Sequence, residues 1–235
     1  MVTQERVNLI STGNPDIDQK LDGGIPLGAL LLLEGEADAG KSVFVQYFTH
    51  AALRSKLSVA HYSTESSIKD LISQMTSLDL EATDYFLCDR LRAYPIRSSD
   101  DTDGREALDS LLEHFESLPM DIRLIVVDAL SDLTAPGDEG QAVDFFDACK
   151  QLCEQVRTII LVMQSDACGD AMLERVNAIC DTHLVLRIEQ QDERQVRLME
   201  VSKLNNAAPT GGDVIHFKVE PGFGLKVISP TGTRR

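Results

Sequence analysis

Short runs of consecutive apolar residues alternate along this chain with stretches in which apolar positions recur every three or four residues. The runs are too short for helices and leave no polar face, which is the pattern of strands covered on both sides. Ala29–Leu33, Leu57–Tyr62, Leu91–Ile96, Arg123–Asp128 and Thr158–Met163 are predicted as such strands. Between them, Val43–Leu53 and Ser66–Ser77 read as amphipathic helices. Ala107, Leu108, Leu111, Leu112 and Phe115 mark a third helix. Ala142, Phe145, Phe146, Cys149, Leu152, Cys153 and Val156 line one face of a fourth. This alternation predicts an α/β fold with a mostly parallel central sheet flanked by helices.

The pattern changes after Gln164. Ser165–Arg175 is small and polar and reads as a loop entering a short helix. His183–Glu189 and Val196–Leu204 are separated by the charged turn QQDER, and Val214–Val219 and Leu225–Ile228 by EPGFG. Each pair predicts an antiparallel hairpin, so hairpins are expected at the C-terminal end of the chain. Leu21–Gly28, LDGGIPLG, reads as a glycine-rich turn in which Pro26 fixes φ and which serves as a structural lead-in. No internal repeat divides the chain, so residues 1–235 are expected to form a single domain with a frayed tail over 228–235.

Composition narrows the class. Hydrophobic residues make up 43% of the chain, enough for a globular core. No run approaches the roughly 20 apolar residues that span a bilayer. The N-terminal MVTQERVNLIS carries no signal-peptide pattern, so a cytoplasmic protein is expected. A net charge of −16 repels nucleic acid on average. The cysteines Cys88, Cys149, Cys153, Cys168 and Cys180 form no C-x-x-C pair, and Cys149 and Cys153 fit a helix's apolar face.

The candidate chemistry centres on residues 35–42, GEADAGKS, which match the phosphate-loop pattern G-x-x-x-x-G-K-[ST] at every fixed position. A bare glycine turn would explain the glycines alone; the preceding strand and following helix fit an anion site at a helix N-terminus. The expected nucleotide cradle comprises Gly35, Glu36, Ala37, Asp38, Ala39, Gly40, Lys41 and Ser42, with Val43 opening the helix. Lys41 is placed to reach the β- and γ-phosphates of ATP, and Ser42 to complete the shell of Mg²⁺. Asp128 ends the apolar run LIVVD, where a buried strand can set a second magnesium carboxylate beside Ser42. Glu65 follows another core strand and reads equally as the acid that orients an attacking water and as a helix N-terminal acid. Gln164 fits a γ-phosphate sensor or a helix cap. Lys203 fits a cation supplied in trans to a neighbour's site or a solvated lysine at a strand end.

The order GNPDIDQKLDGGIPLGALLLLEGEADAGKS resembles the opening of RecA-superfamily ATPases of the KaiC-like branch. There a lead-in of the form D…L-x-G-G-I-P-x-G precedes the phosphate loop. The acid after the second strand, LIVVD and the late VSK strand follow in family order, so the resemblance covers nearly the whole chain. Within the branch, YSTESSIKDLISQM followed by LRAYPI is similar to the FlaH accessory ATPases of the archaellum, the archaeal swimming filament. The resemblance implies a RecA-like P-loop core and ATP-dependent assembly, with a hexameric ring expected. It also implies docking to the motor ATPase FlaI and the platform FlaJ at the inner face of the cell membrane, with binding mattering more than turnover. It carries Lys41, Ser42, Asp128 and Glu65 over as matched positions and sets Lys203 in the neighbouring subunit's site. Clock-type relatives carry Lys-x-Arg where this chain reads Lys203, Leu204, Asn205. Asparagine lacks the charged fork that spreads transition-state charge, so weak hydrolysis is expected. A KaiC-like autokinase is the alternative. A RecA-type DNA-dependent ATPase fits less well, because the segment SDACGDAMLER after Gln164 is acidic rather than basic.

Overall fold

The computed structural model describes residues 9–96, 104–133, 139–155, 157–167, 169–191, 194–204, 214–220 and 222–228. The chain opens with β1 (Leu9–Ile10), α1 (Pro15–Lys20) and β2 (Ile25–Pro26), then enters β3 (Leu30–Gly35) and α2 (Lys41–Arg54). It continues through β4 (Ser58–Ser63), α3 (Ile68–Ser77), α4 (Thr83–Leu87), β5 (Leu91–Pro95), α5 (Gly104–Ser117) and β6 (Ile122–Asp128). A 3₁₀ turn (Leu130–Leu133) leads to α6 (Glu139–Glu154), β7 (Thr158–Gln164) and α7 (Asp170–Ile179). Four strands end the described chain: β8 (Thr182–Gln191), β9 (Arg194–Lys203), β10 (Val214–Glu220) and β11 (Gly224–Ile228).

Among the described residues one sheet holds nine strands in the order β11-β10-β9-β8-β3-β7-β6-β4-β5. The strands from β8 to β5 run parallel. The last three strands extend the sheet antiparallel. The two expected hairpins therefore join through β9 and β10 into one continuous wing.

The apolar runs have a direct cause: alternate residues of each strand feed opposite cores. Leu31 and Leu33 pack with Phe44 and Phe48 of α2 and Met75 of α3. Leu30 and Leu32 pack with Phe115 of α5, Phe146 of α6 and Val176 of α7. The wing belongs to the α2 core through Met199, Val201, Ile215 and Phe217. Phe217 meets Phe44 edge-to-face at 5.1 Å between ring centroids, and the Tyr47 hydroxyl accepts the Leu225 N–H at 2.7 Å. The wing is thereby held against the helix that starts at the phosphate loop.

Several boundaries differ from the sequence reading for local reasons. The helix expected from Ser66 starts at Ile68, because Ser67 caps it and forms a reciprocal capping box with Asp70. The glycine-rich lead-in is more than a turn: Ile25 and Pro26 pair with Leu9 and Ile10. Gly24 has φ +136°, and a Cβ there would lie 2.3 Å from the Ile10 carbonyl oxygen. Cys149, Cys153 and Cys180 are buried, and burial pushes the Cys153 thiol up to about 12. Val156, Cys168 and the tail beyond Ile228 lie outside the described residues. Among the described residues no helix is long and apolar enough to cross a membrane.

Candidate functional site

The parallel strands end at one edge of the sheet, and there the residues after β3, β4, β6 and β7 meet. A cavity of about 360 Å³ is lined by Ala37, Asp38, Gly40, Lys41, Ser42 and Val43 from the phosphate loop and the start of α2. Glu65 after β4, Asp128 at the end of β6 and Gln164 at the end of β7 complete it, with Ala129, Arg197 and Val219. Sheet register accounts for this meeting: Ser63 pairs with Asp128, and Gly35 pairs with Gln164.

The loop's glycines are structural requirements. At Gly35 a Cβ would lie 2.7 Å from the Leu186 carbonyl oxygen, so only glycine lets β3 and β8 stay paired there. Gly40 has φ +98° and forms the N-cap of α2 in the left-handed region, and Asp38 has φ +60°. Such left-handed turns swing successive N–H groups toward one concavity, which the dipole of the 14-residue α2 reinforces for anions.

Lys41 is already stretched across this concavity. Its ammonium donates to the carbonyls of Gly35 at 2.9 Å and Glu36 at 2.7 Å. An ammonium has three donors, so one is left for a phosphate oxygen. Burial lowers the Lys41 pKa, while the carboxylates of Asp128, Glu65, Asp166 and Asp38 pull it back up. Ser42 and Asp128 line the same cavity, as a magnesium pair must. The lining therefore fits a Mg²⁺-bound triphosphate on its own chemistry: amides and one ammonium for phosphate oxygens, a hydroxyl and a carboxylate for the metal. Among the described residues no group of three or more His, Cys, Asp or Glu side chains forms a metal cage, so a cation here relies on its ligand's oxygens as well.

Gln164 lines the cavity at the end of β7, with its backbone N–H fixed by the Ser131 hydroxyl at 2.7 Å. Glu65 lies exposed at the cavity wall. Lys203 is not part of this chain's own cavity. Its ammonium caps the end of α7, donating to the carbonyls of Asn177 at 2.8 Å, Ala178 at 3.2 Å and Cys180 at 2.6 Å. Asn205 lies outside the described residues.

Sequence reading missed Arg197. Its Nε donates to the Asp38 carbonyl at the loop's crest at 2.9 Å, and its Cδ would lie 3.7 Å from a Cβ at Gly40. The signal was the period of two: Arg197 shares a face with Met199 and Val201, so a cation stands in an apolar row that ends over the phosphate loop.

Comparison with known proteins bears on the family and the fold. The family model described as "ATPase: KaiC" matches residues 10–232. The archaeal flagellar ATP-binding protein FlaH of Sulfolobus acidocaldarius is 30% identical over 94% of this chain and 96% of its own length. FlaH of Methanococcus voltae is 25% identical over 90% and 93%. The crystal structure of the flagellar accessory protein FlaH from Methanocaldococcus jannaschii superposes with a TM-score of 0.79 at 24% identity, covering 95% of this chain and 99% of that one, which supports the RecA-like fold. With family model, relatives and fold in agreement, the chain belongs to the KaiC-like ATPases and, among them, to the FlaH proteins.

Proposed function

We propose that this chain is an ATP-binding regulatory subunit of the archaellum motor that uses nucleotide to assemble and dock rather than to turn over fast. The observation that supports it best is the Lys41 ammonium, held by Gly35 and Glu36 at the mouth of a cavity that also contains Ser42, Glu65, Asp128 and Gln164. In this reading residues 35–43 grip the triphosphate, Ser42 and Asp128 hold Mg²⁺, Glu65 orients water and Gln164 contacts the third phosphate. Magnesium supplies charge neutralisation at a site where Lys41 and Arg197 face the carboxylates of Asp38, Glu65, Asp128 and Asp166. ATP then shifts the population toward one assembled state.

The assembled state is a hexameric ring at the cytoplasmic face of the cell membrane, docked on the motor ATPase FlaI and the platform FlaJ. Slow hydrolysis follows from the cations. All three donors of Lys203 are engaged by α7, so a visit to a neighbour's site costs three hydrogen bonds. Turnover is expected far below the roughly 10 per second of a median enzyme.

Calorimetric titration with ATP, with and without Mg²⁺, tests the site. The wild-type chain should bind at least about tenfold more tightly with Mg²⁺, and Asp128→Asn should lose that difference. An Asp128→Asn variant that still responds to Mg²⁺ like the parent would remove Asp128 from the metal site. Mass photometry with and without ATP tests assembly, and an unchanged mass distribution would refute the ring.

A further inference from the structure

Glu34 stands at the end of an otherwise apolar strand, one residue before the phosphate loop, and is only 6% exposed. A buried carboxylate is costly unless it is paired and hydrogen-bonded. Here it has two partners. His183 of β8, itself 4% exposed, meets it at 2.9 Å through Nε2, and the Ser165 side chain also hydrogen-bonds to it. Burial alone would raise the Glu34 pKa, but the His183 and Ser165 hydrogen bonds outweigh it and hold the carboxyl below its ordinary value.

Ser165 is the residue immediately after Gln164. Its backbone N–H donates to the Gly35 carbonyl at 3.2 Å, the same oxygen that accepts the Lys41 ammonium at 2.9 Å. Asp166, the next residue, is one of the carboxylates that act on Lys41. A continuous set of contacts thus runs from His183 through Glu34 and Ser165 to the oxygen that steadies Lys41. It joins the strand end bearing Gln164 to the strand end bearing the phosphate loop.

We propose that Glu34 is a positioning residue: bonded to both His183 and Ser165, it fixes the start of the loop after β7 against the phosphate loop, so that Gln164 is presented to the third phosphate and the site distinguishes ATP from ADP. This rests on the nucleotide-binding reading above. Glu34 touches no phosphate in this account. It acts through Ser165 and Gln164, so its loss should weaken triphosphate binding while sparing diphosphate binding. General damage to the core would weaken both alike.

The test uses the full chain with Mg²⁺, titrated with ADP and with a non-hydrolysable ATP analogue. Ser165→Ala removes one of the two partners, and Glu34→Gln keeps the shape while removing the charge. Both should lower the ratio of analogue to ADP affinity by about fivefold or more, the lower end of ordinary coupling between sites, with ADP affinity held within about twofold. Thermal melts without nucleotide establish that each variant is folded, and Ser165→Ala carries the test if Glu34→Gln does not fold. Equal losses for both nucleotides, or an unchanged ratio in Ser165→Ala, overturn the proposal while leaving nucleotide binding intact. A wild-type chain that holds both nucleotides equally well overturns it too. A wild-type chain that binds neither overturns the nucleotide reading itself, and the positioning role with it.

Discussion

Replacing Lys41 by alanine isolates the contribution of the ammonium, because the loop around it has other supports. The Gly35 carbonyl keeps the Ser165 N–H, Glu36 keeps its N–H bond to the Leu186 carbonyl at 3.2 Å, and Glu36 still accepts the Ala39 N–H at 3.3 Å. The loop should therefore survive the substitution. What is lost is the one ammonium donor free for phosphate, together with its charge. A charge-assisted hydrogen bond contributes about 1.5–3 kcal/mol net. The Coulomb attraction between unit charges about 4 Å apart is about 4 kcal/mol at an effective dielectric of about 20. These overlap, so a loss of about 2–4 kcal/mol is expected, or roughly 30- to 1,000-fold in affinity. Titration calorimetry of wild type and Lys41→Ala with Mg²⁺-ATP measures it, and melting curves without nucleotide check the loop. An affinity within about threefold of wild type would mean that phosphate does not reach this lysine, and the nucleotide site would have to be abandoned.

Three further outcomes follow from contacts outside the metal pair. Arg197→Ala releases the Asp38 carbonyl and removes a cation from the cavity wall, so ATP and ADP affinities should fall together, by about three- to thirtyfold in the same titration. Lys203→Ala uncaps α7 and should lower stability in urea unfolding by about 1–3 kcal/mol, while the isolated chain's nucleotide affinity stays unchanged. His61 is buried in β4 with its pKa lowered by desolvation from 6.5 to about 4, so between those values the unfolded chain alone takes up the proton and stability falls as pH drops. The loss is about 3 kcal/mol across that window, and His61→Gln should flatten that part of the pH profile of urea unfolding.

The parallel core was legible because both faces of β3, β6 and β7 are covered, and double coverage leaves a run of apolar letters with no gap. The phosphate loop was legible because its glycines answer steric demands that no other residue meets, as the 2.7 Å approach at Gly35 shows. Helices α1 and α4 were not legible: at six and five residues they are too short to show a helical period. β1 and β2 are two-residue strands whose pairing depends on the close approach of Gly24, directly before β2, to the Ile10 carbonyl rather than on any pattern of their own.

The harder cases are side chains whose meaning lies in a partner distant in sequence. Glu34 reads as the polar start of a loop until β8 lays His183 beside it, 149 residues on. Arg197 reads as a solvated strand residue until the wing folds over α2 and sets it on Asp38, 159 positions away. Lys203 was recognised as a cation worth placing, but its acceptors are fixed by where the last turn of α7 ends, and nothing in VSK encodes that. In each case the residue type was plain and the register was not. Period and composition determine which face a residue occupies, while crossovers and hairpin registers determine what it meets. The site's centre is built from a local motif and could be read directly; its supports are built from strand order, and only the folded sheet shows them.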